Sequence, residues 1–435
     1  MKWRRVFSAV MVLSLVALVA CTGDEGEGGG TGATGATGAA EPVTLDFWVF
    51  EEGGIGSFLE TLEQDFEAKY PNVDLKITAY PEGNYGVKID TAIAAGKAPD
   101  LVLVFGPDQM RAGLLLPLDD MVAENNIDLT NYVPAIVTPG DEFSCAYEDH
   151  LYCLGSYAGS VQMLYNKDLF DAAVIPYPAP WPPITPEQFV DYACQLTDAE
   201  NGVWGAAAEN PLAYIPFDMM WDATGRIVEG YVNGPDFVHQ VDLLASGYDQ
   251  GCLPSSNILD PWEQGRDFFA KGDLAMVITD FQDLDKVEEA GINYGSTAPP
   301  TPTGVTPYFF VWTDSVGVMA GSDNPDEAMD FIAFLTTEGQ TIRYEVSGDM
   351  PIDLAIADEV NWAGGVPGRE DGLEVLSHAR PMVFVPNRWD VAGPYYDAWG
   401  FVVGGEKTAQ EALDDAAPAI QENLDSAWEV WEEAA

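Results

Sequence analysis

The chain has 435 residues, 47% hydrophobic and 20% charged, which is the composition of a folded protein and excludes a disordered one. Its length exceeds one comfortable core and points to two domains. With 71 acidic against 18 basic side chains and a formal net charge of −53, it has no basic stripe to displace counterions, so nucleic acid is excluded as a partner.

Residues 1–21 are expected to be an export signal: Lys2, Arg4 and Arg5 precede an apolar run too short to span a bilayer. The run closes on Leu18-Val19-Ala20-Cys21, which matches the bacterial lipobox, so Cys21 is the expected lipidation site. The protein would then be exported and held on the outer face of the bacterial cell membrane by acyl chains alone. Residues 22–41 repeat Thr-Gly-Ala and offer nothing to bury, hence a flexible tether with a coil dimension of roughly 25 Å.

Folded sequence begins at Val43. Val43, Leu45, Phe47 and Val49 alternate with Thr44, Asp46, Trp48 and Phe50, a strand expected to be buried on both faces. A glycine loop follows, then a helix with Ser57 as N-cap and Phe58, Leu59, Leu62 and Phe66 on one face, ending at Tyr70-Pro71. A second unit repeats the layout: a strand over residues 74–79, a helix carrying Tyr85, Ile89 and Ile93, and an apolar strand over residues 101–105. Such strand-loop-helix units place ligands at strand ends.

The stretch YCLGSYAGSVQMLYNKDLF, residues 152–170, holds two short β-favouring runs separated by small residues, then turns at Asn166 into a helix. Further on, Thr185-Pro186-Glu187-Gln188 is a capping box, Asn324-Pro325 opens an amphipathic helix, and Thr408 to Glu411 caps the last one. Setting Cys21 aside leaves Cys145, Cys153, Cys194 and Cys252, an even number suited to an oxidising compartment. Of three possible pairings, Cys145 with Cys153 around a short hairpin and Cys194 with Cys252 is favoured. A zinc site is the weaker alternative, since Cys-x-x-Cys is missing and only three His occur; no metal or cofactor is expected.

Residues 152–170, together with LDFW, FEAKYPNVDLKI, TAIAAGKAPDLVL, LLPLDD, FAKGDLAMVI and SGDMP in this order and spacing, resemble the family 1 extracellular solute-binding proteins, the capturing subunits of ABC importers for sugars. The resemblance runs from about Val43 to Trp431. It implies an α/β fold of the type II periplasmic-binding-protein kind, two lobes linked by three crossings around a ligand cleft. Lobe one would hold residues 42–158 and 300–337, lobe two residues 159–299 and 338–435. Implied partners are a carbohydrate and the permease subunits of the transporter, with the binding protein itself a monomer.

Enzyme motifs are missing from the sequence: it has no nucleophile elbow, zinc-protease helix or phosphate loop, and a non-enzymatic role is expected. A glycoside hydrolase, which needs only two well-placed carboxylates, and a lipid-anchored adhesin are the rival classes. Sugar sites combine flat aromatic platforms with in-plane polar groups. Ring and polar neighbours of that kind are Trp48 with Glu51 and Glu52, Phe105 with Asp108, Tyr157, Trp221 with Asp222, Asp280 with Phe281, Trp312 with Thr313, and Arg388 with Trp389. The acidic surface disfavours anionic ligands; the resemblance and the number of dispersed aromatic platforms imply a neutral oligosaccharide first, and a polyamine, held by cation–π contact, is the second reading.

Overall fold

The computed structural model describes residues 42–51, 55–104, 106–140, 143–208, 217–254, 261–281, 284–307 and 310–433. The expected export signal, Cys21 and the tether lie outside these.

Strand β1 (Val43–Glu51) alternates as its sequence does: Leu45, Phe47 and Val49 are buried, while Thr44 and Asp46 are exposed and Trp48 and Phe50 half-buried. The strand is therefore fully covered on one face only, which corrects the expectation of two buried faces. Helix α1 (Ile55–Lys69) lays Phe58, Leu59, Leu62 and Phe66 on the covered face and stops one residue before Tyr70-Pro71. It begins three residues before the Phe58 start that a Ser57 N-cap implies, so Ser57 lies within its first turn.

Strand β2 (Val73–Pro81) pairs parallel with β1 from Val43 opposite Val73 to Glu51 opposite Pro81. Helix α2 (Glu82–Ala94) carries Tyr85 and Ile89 inward, and the Tyr85 hydroxyl donates to the Trp48 carbonyl at 2.8 Å and accepts from the Leu103 N–H at 2.8 Å. That one buried hydroxyl fixes α2 to β1 and to β3 (Leu101–Leu103). The short helix α3 (Pro107–Arg111) follows directly. Strand β11 (Val316–Val318) closes the first sheet antiparallel to β3, giving the order β11-β3-β1-β2.

The second sheet is organised on β6 (Gly159–Asn166), which pairs antiparallel with β8 (Leu274–Asp280) on one side and with β9 (Tyr294–Thr297) and β10 (Val311–Trp312) on the other; β7 (Trp204–Ala208) lies parallel beyond β8. Leu164 of β6 joins the core shared with the first sheet, while Met163 and Tyr165 face a second core with Phe170, Phe189, Phe237, Tyr395 and Ile420. Asn166 accepts from the Asp168 and Leu169 N–H groups and so starts the next helix, and the capping box of Thr185 with Gln188 forms as expected. Between β4 (Ala146–Tyr147) and β6, the hairpin of β4 with β5 (His150–Leu151) is closed by the Cys145–Cys153 disulfide; Cys194 is bonded to Cys252.

Three passages join the sheets. The first runs from β5 through Leu154, which bridges to Val316, into β6. The second runs from β10 in the second sheet to β11 in the first. The third leaves the Glu338–Ser347 helix, packed on α1, for the Pro367–Ser377 helix, packed on β9. The packing moves two expected boundaries later. Thr301 and β10 stay with the second sheet, because Thr301 N–H donates to the Ile184 carbonyl and β10 pairs with β6. Residues 338–353 stay with the first, where the side chain of Gln340 bonds the Tyr132 hydroxyl and the Asp353 N–H.

Candidate functional site

Where the carboxyl ends of β1 and β3 meet the first two passages, a cavity of about 500 Å³ opens. Its walls come from six places in the chain, five of them being Phe50 near the end of β1, Leu103, Val104 and Gly106 to Asp108 at and after the end of β3, Tyr157 on the first passage, Trp312 to Ser315 on the second, and Phe384 to Trp389 on the far side. Phe143 completes the ring of aromatic groups. The lining is mostly apolar, with a few polar groups set among the rings, which is the usual make-up of a small-molecule site.

Local chemistry explains how each wall is aimed. Gly106, at φ 80°, makes the turn that brings Pro107 and Asp108 to the cavity, a conformation other residues adopt only at a cost. Asn387 stands at φ 48°, a left-handed position that Asn tolerates better than most, and it starts the short helix Arg388–Val391. Trp389 is 40% exposed and stacks on Phe310, ring centres 5.0 Å apart and planes 23° apart, and Phe143 meets the same Phe310 edge-on at 5.9 Å. Phe50 is held edge-on against Tyr85 at 5.7 Å. Arg388 is buried, and its Nη2 donates to the Val383 carbonyl at 2.8 Å.

Two carboxylates reach the lining. Burial pushes the Asp108 carboxyl up, and Arg111 partly pulls it back. The Asp314 side chain is 7% exposed, and its carboxyl is likewise pushed up by burial, against the pull of Arg343 and of the Ser156 N–H and hydroxyl, which donate at 2.6 and 2.7 Å. The site therefore offers stacking faces and hydrogen-bond acceptors around a partly closed space. Among the described residues, no group of three His, Cys, Asp or Glu side chains is placed to hold a metal ion.

Residues 52–342 match the family described as bacterial extracellular solute-binding protein. The chain belongs to this family. Among relatives, it is 26% identical over 417 residues to the sn-glycerol-3-phosphate-binding periplasmic protein of Escherichia coli strain K12, an alignment covering 86% of this chain and 90% of that one. Solved structures share the fold: the ABC substrate-binding protein of Listeria monocytogenes in complex with cycloalternan has a TM-score of 0.68 at 22% identity, covering 88% of this chain and all of that one. The maltose/maltodextrin-binding domain of Bdellovibrio bacteriovorus bound to maltotriose has a TM-score of 0.62 at 18% identity, covering 88% and 100%. The two-lobed α/β architecture expected from sequence is thus the fold of this solute-binding protein, and no helix among its described residues is long and apolar enough to cross a membrane.

Of the residues singled out in sequence, the cavity brings together Asp108, Tyr157, Trp312 with Thr313, Arg388 and Trp389. Others are placed elsewhere. Trp48 leans edge-on against Tyr80 at 5.0 Å, three residues short of the strand end. Trp221 is 1% exposed in the second core, and Asp222 spends its carboxylate on the Thr224 hydroxyl and the Arg226 and Ile227 N–H groups of the turn that follows. Phe281 is buried against Trp362 at 5.9 Å, and Asp280 ends β8 opposite Val161. Glu51 is the last residue of β1, while Glu52 and Phe105 lie outside the described residues. Sequence reasoning missed Phe50, Phe143, Asp314, Phe384 and Asn387. For Phe50 the signal was present, since it lies next to the end of the first strand on the same face as Trp48.

Proposed function

We propose that this solute-binding protein captures a neutral carbohydrate, an oligosaccharide in preference to a single sugar, and hands it to the permease subunits of an ABC importer. The observation that carries the reading is the cavity itself, whose lining joins the rings of Tyr157, Trp312 and Trp389 to Asp108 and Asn387 as hydrogen-bonding groups. The Listeria protein's cycloalternan and the Bdellovibrio domain's maltotriose support the same ligand class. In this account the protein binds and releases its ligand unchanged, works as a monomer, and is tethered outside the cell through a lipid on Cys21.

An anionic polyol phosphate, the ligand named for the Escherichia coli relative, is disfavoured by two carboxylates in the lining and by the net charge of −53. A thermal-shift screen of mono- and oligosaccharides, sn-glycerol-3-phosphate, amino acids and polyamines tests the assignment. Stabilisation by oligosaccharides is expected, and stabilisation by the phosphate or a polyamine alone would reject it. Changing Cys21→Ser should release the protein from the membrane into the medium; retention of that variant would reject the anchor.

A further inference from the structure

Arg343 lies outside the cavity lining, yet it touches the groups that hold the lining in place. Its side chain is 8% exposed. Nε–H donates to Asp349 Oδ2 at 2.6 Å and Nη1–H to Asp314 Oδ2 at 3.5 Å. The guanidinium carbon stands 4.2 Å from the ring centre of Tyr157 and 4.6 Å from that of Phe58. Tyr157 and Asp314 both line the cavity.

These partners come from all three passages between the sheets. Ser156 and Tyr157 belong to the first, Asp314 to the second, and Asp349 stands at the start of the third. The backbone follows the same pattern, with Leu154 and Val316 exchanging hydrogen bonds of 3.1 and 2.8 Å and Ala158 N–H donating to the Met350 carbonyl at 2.9 Å. At Gly155 an added Cβ would fall 1.9 Å from Thr313 Oγ1, so the first two passages touch where no side chain fits.

Burying a cation and two carboxylates is costly, and apolar side chains of similar volume would fill the same space at least as stably. What the ionic cluster offers instead is direction, because the planar guanidinium satisfies two carboxylates in plane while its face covers a ring.

Resting on the reading of the cavity as a ligand site, we propose that Arg343 is a positioning residue: it fixes Tyr157 and Asp314 against each other and locks the three passages together, so that the cavity is set before the ligand arrives. Arg343→Lys keeps the charge and loses both the fork and the stacking plane. Hydrogen–deuterium exchange on the full chain should rise roughly tenfold in this variant across residues 154–160, 311–316 and 348–353. Faster exchange confined to the Glu338–Ser347 helix would overturn the proposal.

Titration with maltotriose and with cycloalternan gives the second readout. Affinity should fall roughly tenfold in Arg343→Lys, less than additively with Tyr157→Leu and additively with Trp389→Ala. Unchanged affinity, or strict additivity with Tyr157→Leu, would equally overturn it, since a merely stabilising residue leaves the affinity of the folded protein alone. If the wild-type protein takes neither sugar, the carbohydrate reading fails for these probes while the exchange pattern still decides the role of Arg343.

Discussion

The guanidinium of Arg111 lies 4.2 Å from the ring centre of Trp431, stacking α3 of the first sheet on the last turns of the C-terminal helix Ala409–Glu433. That helix belongs to the second core through Ile420 and Leu424, and the Trp431 ring also rests 4.6 Å from Phe384, which lines the cavity. The contact therefore joins the two halves at the cavity rim. A stacked cation and indole are worth about 0.5 to 2 kcal/mol. Trp431→Ala should shift the ligand-free protein toward an open form, read as a larger radius of gyration in small-angle scattering. Superimposable curves for the two proteins would show that the stack does not hold the halves together.

The aromatic residues divide into two groups that mutation should separate. Trp312→Ala and Trp389→Ala remove rings from the cavity and should weaken sugar binding by about 1 to 3 kcal/mol in calorimetry with little change in stability. Trp221→Ala removes a ring from the second core and should cost about 3 to 5 kcal/mol of unfolding free energy while leaving the affinity of the folded protein unchanged. The opposite pattern would move the site away from this cavity.

Acid should affect Asp108 earlier than an ordinary aspartate. Because burial raises its folded pKa above the unfolded value, the ionised group destabilises the fold at neutral pH, and that cost disappears as pH falls through the folded pKa. Asp108→Asn should thus melt no lower than the wild type at pH 7. Sugar affinity that uses the carboxylate as an acceptor should decline on acidification in the wild type and lose that acid limb in the variant. A variant with the wild-type pH profile would remove Asp108 from ligand contact.

The two disulfides close loops of different size, 8 and 58 residues in separation. Loop-closure entropy assigns about 2.5 kcal/mol to Cys145–Cys153 and about 4 kcal/mol to Cys194–Cys252. Urea unfolding of the paired Cys→Ser variants should rank them in that order, and equal losses would point to a denatured state in which chain entropy is not the governing quantity.

Much of the fold was legible because its signals are local. The Thr185 capping box, the Asn324-Pro325 helix start and the alternation in β1 each need only a few neighbouring residues, and all three appear. The cavity was legible only in part because it is assembled from six separate places in the chain. Trp48 and Phe50 share a face of β1, but only Phe50, nearer the strand end, reaches the cavity, and sequence does not mark where a strand stops. Trp221 stands between Met220 and Asp222, and that acidic neighbour suggested an exposed setting; its carboxylate instead bonds its own turn and leaves the indole to the core. Asp314 carried no signal, since its role depends on Ser156, 158 positions away.

The central claim, that the cavity between the sheets takes an uncharged carbohydrate, is tested most directly by titration calorimetry of the full mature chain with a panel of oligosaccharides, spermidine and sn-glycerol-3-phosphate. The account predicts saturable binding of at least one oligosaccharide at micromolar concentration or below, abolished or weakened by Trp389→Ala. Micromolar binding of spermidine or of sn-glycerol-3-phosphate, with every sugar silent, would contradict it.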